Sequence, residues 1–119
     1  MLKDVLNYIR KRLINVTPKR YVEYTGVLFR ENSQFSENEL KNRNIIIIGD
    51  KDNPKWIHLI CPCGCGNKIS LNLMKSYYPR WKARFNKDNT LSIFPSIDNA
   101  SCGAHFWVDH SKVFWAKYK

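Results

Sequence analysis

Acidic residues are scarce in this chain. It carries 10 Asp and Glu against 20 Lys and Arg, a formal net charge of +10. That balance favours acidic partners, whether nucleic acid, an anionic membrane or an acidic protein, and is equally consistent with a plain soluble basic surface. Long apolar runs are also missing. None exceeds four residues, as at Ile45 to Ile48, so no helix of this sequence can span a bilayer. Charges interrupt each apolar stretch near the N-terminus, which excludes a secretory pattern and points to a cytoplasmic setting with reduced thiols. The familiar catalytic signatures H-E-x-x-H, G-x-S-x-G and the P-loop are absent, so any hydrolytic chemistry must use a different constellation. There is no internal repeat and no low-complexity segment.

What is present suffices for one folded domain. The 119 residues are 44% hydrophobic, with four Trp and six Phe, enough to build a core of their own. Leu2, Val5, Leu6, Ile9 and Leu13 recur at helical spacing before Pro18, which predicts a short N-terminal amphipathic helix. Tyr21 to Phe29 reads as a strand. Arg30 to Asn44 is polar and reads as a loop with a helical turn near Glu37 to Lys41. Residues 1–44 thus form an extension of helix, strand and loop, and 45–119 the main β domain, within a single compact unit.

Strand signals then follow at short intervals: Ile45 to Ile48, Trp56 to Cys61, Ile69 to Leu73, Arg80 to Phe85 and Thr90 to Phe94. Ala104 to Val108 and Lys112 to Lys117 make a closing hairpin around Asp109-His110-Ser111. The expected fold is mainly β, an antiparallel sandwich or roll.

Three of the four cysteines lie within Cys61-Pro62-Cys63-Gly64-Cys65-Gly66, and the fourth opens Cys102-Gly103-Ala104-His105. Two short clusters of soft ligands match the needs of tetrahedral zinc. Thiolates at i and i+2 of an extended segment point to one side, and the glycines let the chain curl around sulfur. The expected zinc ligands are Cys61, Cys63 or Cys65, Cys102 and His105, with one thiol left over, either buried or reactive. His58 and His110 are weaker candidates. If the chain is an enzyme, the candidates are zinc with an open position, Ser96 as nucleophile or His105 as base. His105 cannot serve as zinc ligand and free base at once. A serine after Pro95 has the alternative use of bracing its loop.

Trp56 through Trp115 resembles a small bacterial family marked by a C-P-C-G-C-G cluster, a P-S-[IV] element and a C-x-x-H-F-W ending. Cys61 to Gly66, Pro95-Ser96-Ile97, and Cys102, His105, Phe106 and Trp107 carry these motifs, with Pro79 and Trp81 as a P-x-W step. Where many relatives have Ser or Cys before the histidine, this chain has Ala104. Members are often encoded beside bacterial ubiquitin-like modifiers and their conjugation enzymes. The resemblance therefore implies a zinc-binding protein of a ubiquitin-like modification pathway, linked to phage defence. Its partner would be the modifier or its conjugation enzymes; the resemblance does not name the step, and the first reading is a zinc-dependent peptidase or other hydrolase that processes or removes the modifier. Two alternatives are a non-catalytic zinc-stabilised adaptor for an acidic protein and a nucleic-acid-binding module. For the last, Tyr77, Tyr78, Arg80, Trp81, Lys82, Arg84 and Phe85 mix cations with aromatics, although the alternation also fits a half-buried strand.

Overall fold

Four consecutive isoleucines, Ile45 to Ile48, are all buried, although side chains of a strand alternate between faces. Both faces of this strand must therefore be covered. The computed structural model, which describes residues 20–116, shows how. The described chain forms β1 (Gly26–Arg30), α1 (Glu37–Lys41), β2 (Asn44–Gly49), β3 (Pro54–Ile60), β4 (Lys68–Asn72), β5 (Lys82–Phe85), β6 (Leu91–Asn99), β7 (Ala104–Asp109) and β8 (Lys112–Trp115). These strands make two four-stranded sheets, ordered β1-β2-β3-β4 and β5-β6-β7-β8. Ile45 and Ile47 pack with Ile57, Leu59 and Leu71 of their own sheet and with Leu91, Ile93, Ile97, Phe106 and Val108 of the other. Ile46 and Ile48 pack on the opposite face with Ile60 and with Leu40 of α1.

The single turn of α1 is held by local chemistry and by burial. The Ser36 hydroxyl caps it by accepting from the Asn38 N–H at 3.2 Å. Leu40 has no solvent exposure, a burial that contributes about 1.5–3 kcal/mol. Arg30 of β1 donates to Glu39 of α1 in an ion pair that ties the connection to the sheet. The N-terminal amphipathic helix expected from Leu2 to Leu13 lies outside the described residues.

Two features depart from a plain antiparallel sandwich. β1 runs parallel to β2, with Val27 opposite Ile45 and Phe29 opposite Ile47. Parallel neighbours need a crossover of about a dozen residues, and the loop containing α1 supplies it. The other pairs within the sheets are antiparallel. The segment before β1 also joins the two sheets. Glu23 bridges Lys112 of β8, the Val113 N–H donates to the Val22 carbonyl at 2.9 Å, and the chain then crosses into the first sheet as β1. Tyr24 is buried in the main core. The described part of the segment that reads as an extension thus contributes a strand, a helix and a core aromatic.

The second irregularity lies between β6 and β7. Ile93 pairs with Val108 and Ile97 with Phe106, so Phe94, Pro95 and Ser96 face only Trp107. This is a bulge, and it is where a proline without an N–H can sit inside a strand. Among the described residues, no helix is long and apolar enough to cross a membrane.

Candidate active site and metal centre

Two hairpin loops, one from each sheet, meet at one end of the sandwich. The first joins β3 to β4 and carries Cys61, Cys63 and Cys65. Its base is closed by the Cys61 N–H donating to the Asn67 carbonyl at 2.8 Å. Gly64 and Gly66 have φ angles of 94° and 80°, and this left-handed backbone turns the cysteines back on one another. The second loop joins β6 to β7 and carries Cys102. It is closed by the Gly103 N–H donating to the Asn99 carbonyl at 2.8 Å. Asn67 Nδ2 reaches across to Ser101 Oγ at 2.8 Å, so the loops are also tied by a hydrogen bond.

The four sulfurs converge. Cys61, Cys63, Cys65 and Cys102 place their Sγ atoms within 4.8 Å of one another. The Cys61–Cys63 separation is 3.5 Å, and Cys102 lies 3.6 Å from each. Tetrahedral zinc with sulfurs at about 2.3 Å requires sulfur–sulfur edges of about 3.8 Å. The donor set and its spacing therefore fit one metal ion. The Cys65 N–H donates to Cys63 Sγ at 3.3 Å, an outer contact of the kind that steadies thiolate charge. Burial nevertheless pushes the Cys61 and Cys63 thiols above their ordinary pKa.

His105, expected as a ligand, stands outside this group. The reason is strand periodicity. Ala104, Phe106 and Val108 point into the core, so His105 and Trp107 project from the outer face of the second sheet. There His105 Nε2 lies 2.7 Å from Ser96 Oγ. Register accounts for the meeting. His105 is the direct partner of Asp98 and is diagonal to Ser96, and all three occupy one face. Ser96 is half-buried at the end of the bulge, and Trp81 Nε1–H donates to its carbonyl at 3.3 Å. Asp98 was not singled out in the sequence, although its place two residues after Ser96 in a strand was a usable signal.

A second Ser–His contact has a different character. His58 Nδ1 lies 2.8 Å from Ser70 Oγ, and the ring sits between Phe35 and Trp56. Its Nε2 is buried without a hydrogen-bond partner. Burial, with Lys68 nearby, holds the His58 pKa below its ordinary value. A general base must carry a proton during the reaction, and this environment disfavours that charge. His110 is in the turn at the far end of β7 from Cys102, paired with Asp109 at 2.9 Å. Of the mixed cationic and aromatic stretch, Trp81, Ala83 and Phe85 pack against the core. Lys82 and Arg84 face outward, and Tyr77 and Tyr78 are exposed.

Four sulfurs that could hold one metal ion, and a Ser–His pair on the outer face of the second sheet, are the two chemical features of this mainly β protein. Residues 32–116 match the model of the family described as bacterial ubiquitination-like system serine protease, BubE, and the chain belongs to that family. It is thereby linked to a bacterial ubiquitination-like system. No curated protein and no solved structure matches it.

Proposed function

We propose that the protein is a serine peptidase that cleaves at the C-terminus of a ubiquitin-like modifier, and that its metal is a structural zinc. The observation that carries this reading is the 2.7 Å contact between Ser96 Oγ and His105 Nε2 on an accessible sheet face. The family description, which names a serine protease, supports it. Ser96 Oγ attacks the scissile carbonyl carbon while His105 Nε2 takes the hydroxyl proton. The tetrahedral intermediate collapses to a Ser96 ester, and His105 returns the proton to the departing amine. Water, deprotonated by His105, then releases the acid and restores the serine. Asp98, directly across from His105, is placed to orient the imidazole as it gains charge.

Cys61, Cys63, Cys65 and Cys102 would hold the zinc. An ion with four thiolate ligands keeps no position for water, so the chemistry it supplies is a cross-link. This assignment leaves His105 available as the base.

Labelling with a fluorophosphonate, followed by digestion of modifier precursor or conjugate, tests the proposal. The metal-loaded protein should be labelled on Ser96 and should cleave, and Ser96→Ala should do neither. Absence of both reactions in a metal-loaded protein that binds the modifier would leave the adaptor reading in its place.

A further inference from the structure

The face of the second sheet that carries Ser96 and His105 also carries an unusual amount of exposed aromatic surface. Phe94, Trp107 and Phe114 are 43%, 46% and 49% exposed. They line a shallow depression of about 440 Å³ together with Ile93, Val108 and Asp109. Trp107 and Phe114 are direct cross-strand partners, so their rings lie side by side. Among the described residues the one helix packs on the first sheet, against β2 and β3. Large apolar side chains left open in a group mark a binding surface.

The depression adjoins the candidate catalytic pair through Trp107 and Phe94. Trp107 follows His105 by two positions on the same face, with ring centroids 6.2 Å apart. Phe94 lies in the same bulge as Ser96. In an extended peptide, side chains two residues apart on one face are separated by about 6.6–6.8 Å. That spacing is close to the His105–Trp107 separation, so a substrate strand with its scissile carbonyl at Ser96 would have a side chain two positions away within reach of Trp107, whose cross-strand partner is Phe114.

We infer that the Phe94–Trp107–Phe114 depression is a specificity pocket for an extended peptide whose residue two positions from the cleaved bond is bulky and apolar. This inference rests on Ser96 and His105 marking the reaction centre. It adds the substrate class, which neither residue determines.

The test uses a series of hexapeptides that differ only in Phe, Leu or Ala at the second residue on either side of the central bond. Binding to the metal-loaded Ser96→Ala protein is followed by tryptophan fluorescence, which reads the pocket whether or not Ser96 cleaves. On one side of the bond, Phe and Leu peptides should bind about tenfold or more tighter than the Ala peptide, the worth of one buried apolar side chain. Phe114→Ala should abolish that preference, and Phe94→Ala should weaken it. With the Ser96 enzyme, the same preference should appear in KM while kcat stays level across the series. Equal affinity for all peptides, or a preference that survives Phe114→Ala, would overturn the inference. If the preference is present but fluorophosphonate does not label Ser96 in the native enzyme, the depression stands as a peptide-binding surface, and both the serine-peptidase reading and the assignment relative to a cleaved bond fall.

Discussion

Replacing Cys102 by serine should damage the fold far more than replacing Cys65. Cys61, Cys63 and Cys65 share one loop, so an ion held by them alone closes only a short circuit of chain. Cys102 is the sole sulfur from the second sheet, 41 residues beyond Cys61. Chain-entropy reasoning gives a cross-link over a loop of that length about 4 kcal/mol. In a domain of this size, each kcal/mol moves the melting temperature by about 4 °C. Cys102→Ser should therefore melt roughly 15 °C below the metal-loaded wild type. Cys65→Ser keeps the long circuit closed through the remaining three sulfurs and should lose much less. Scanning calorimetry, with metal content measured on the same samples, makes the comparison. A Cys102→Ser protein that has lost its metal yet melts within about 5 °C of wild type would show that the clamp does not hold the sheets together.

Three further outcomes follow from the geometry. His105→Ala should lower peptide cleavage by about a thousandfold or more while still binding one metal per chain, because its ring serves Ser96 rather than the sulfurs; metal analysis beside single-turnover kinetics checks both halves. His58 should make stability depend on pH in a definite direction. Its folded pKa lies below the unfolded value of about 6.5, so below that pH the unfolded chain takes up a proton the folded chain refuses. Stability should then fall with pH until the folded His58 itself titrates, and urea midpoints of wild type and His58→Gln should diverge between pH 7 and 5.5. Leu40→Ala should cost about 2–5 kcal/mol by denaturant unfolding, since α1 has no other fully buried side chain with which to cover Ile46 and Ile48.

The strands were legible because their alternation is strong. Ile69, Leu71 and Leu73, and Trp81, Ala83 and Phe85, announce half-buried strands, and β4 and β5 lie there. The isoleucine run also announced β2, but a run without alternation does not say what covers each face. Leu40, inside a segment otherwise polar, supplied the cover and gave little sign of it. The parallel pairing of β1 was hidden for a related reason: it depends on a crossover, not on the residues of the strand. β6 reads naturally as ending before Pro95, because proline lacks a ladder donor; the chain instead continues through a bulge to Asn99. That the cysteines gather where they could hold a metal was legible from their spacing, but one thiol was expected to be left over and all four sulfurs converge. The direction of His105 was legible too, had the alternation of Ala104, Phe106 and Val108 been weighed against the ligand motif.

The sulfur cluster and the Ser–His pair are chemically separate but mechanically joined. Cys102 lies in the turn between β6 and β7, and those two strands carry Ser96 and His105 respectively. The 2.7 Å contact depends on the register of this hairpin, in which a bulge sets three residues of β6 against one of β7. A bulged pair has fewer ladder bonds to fix its alignment than a regular one. Anchoring the turn through Cys102 to the β3–β4 loop restrains the end of the hairpin from which that register is counted. On the other side, Trp81 holds the Ser96 carbonyl and so restrains the bulge itself. If the four cysteines hold a metal and Ser96 and His105 are the reacting pair, as proposed, that metal would act on catalysis through distance alone. Its removal should separate serine from imidazole before it disturbs the chemistry of either group.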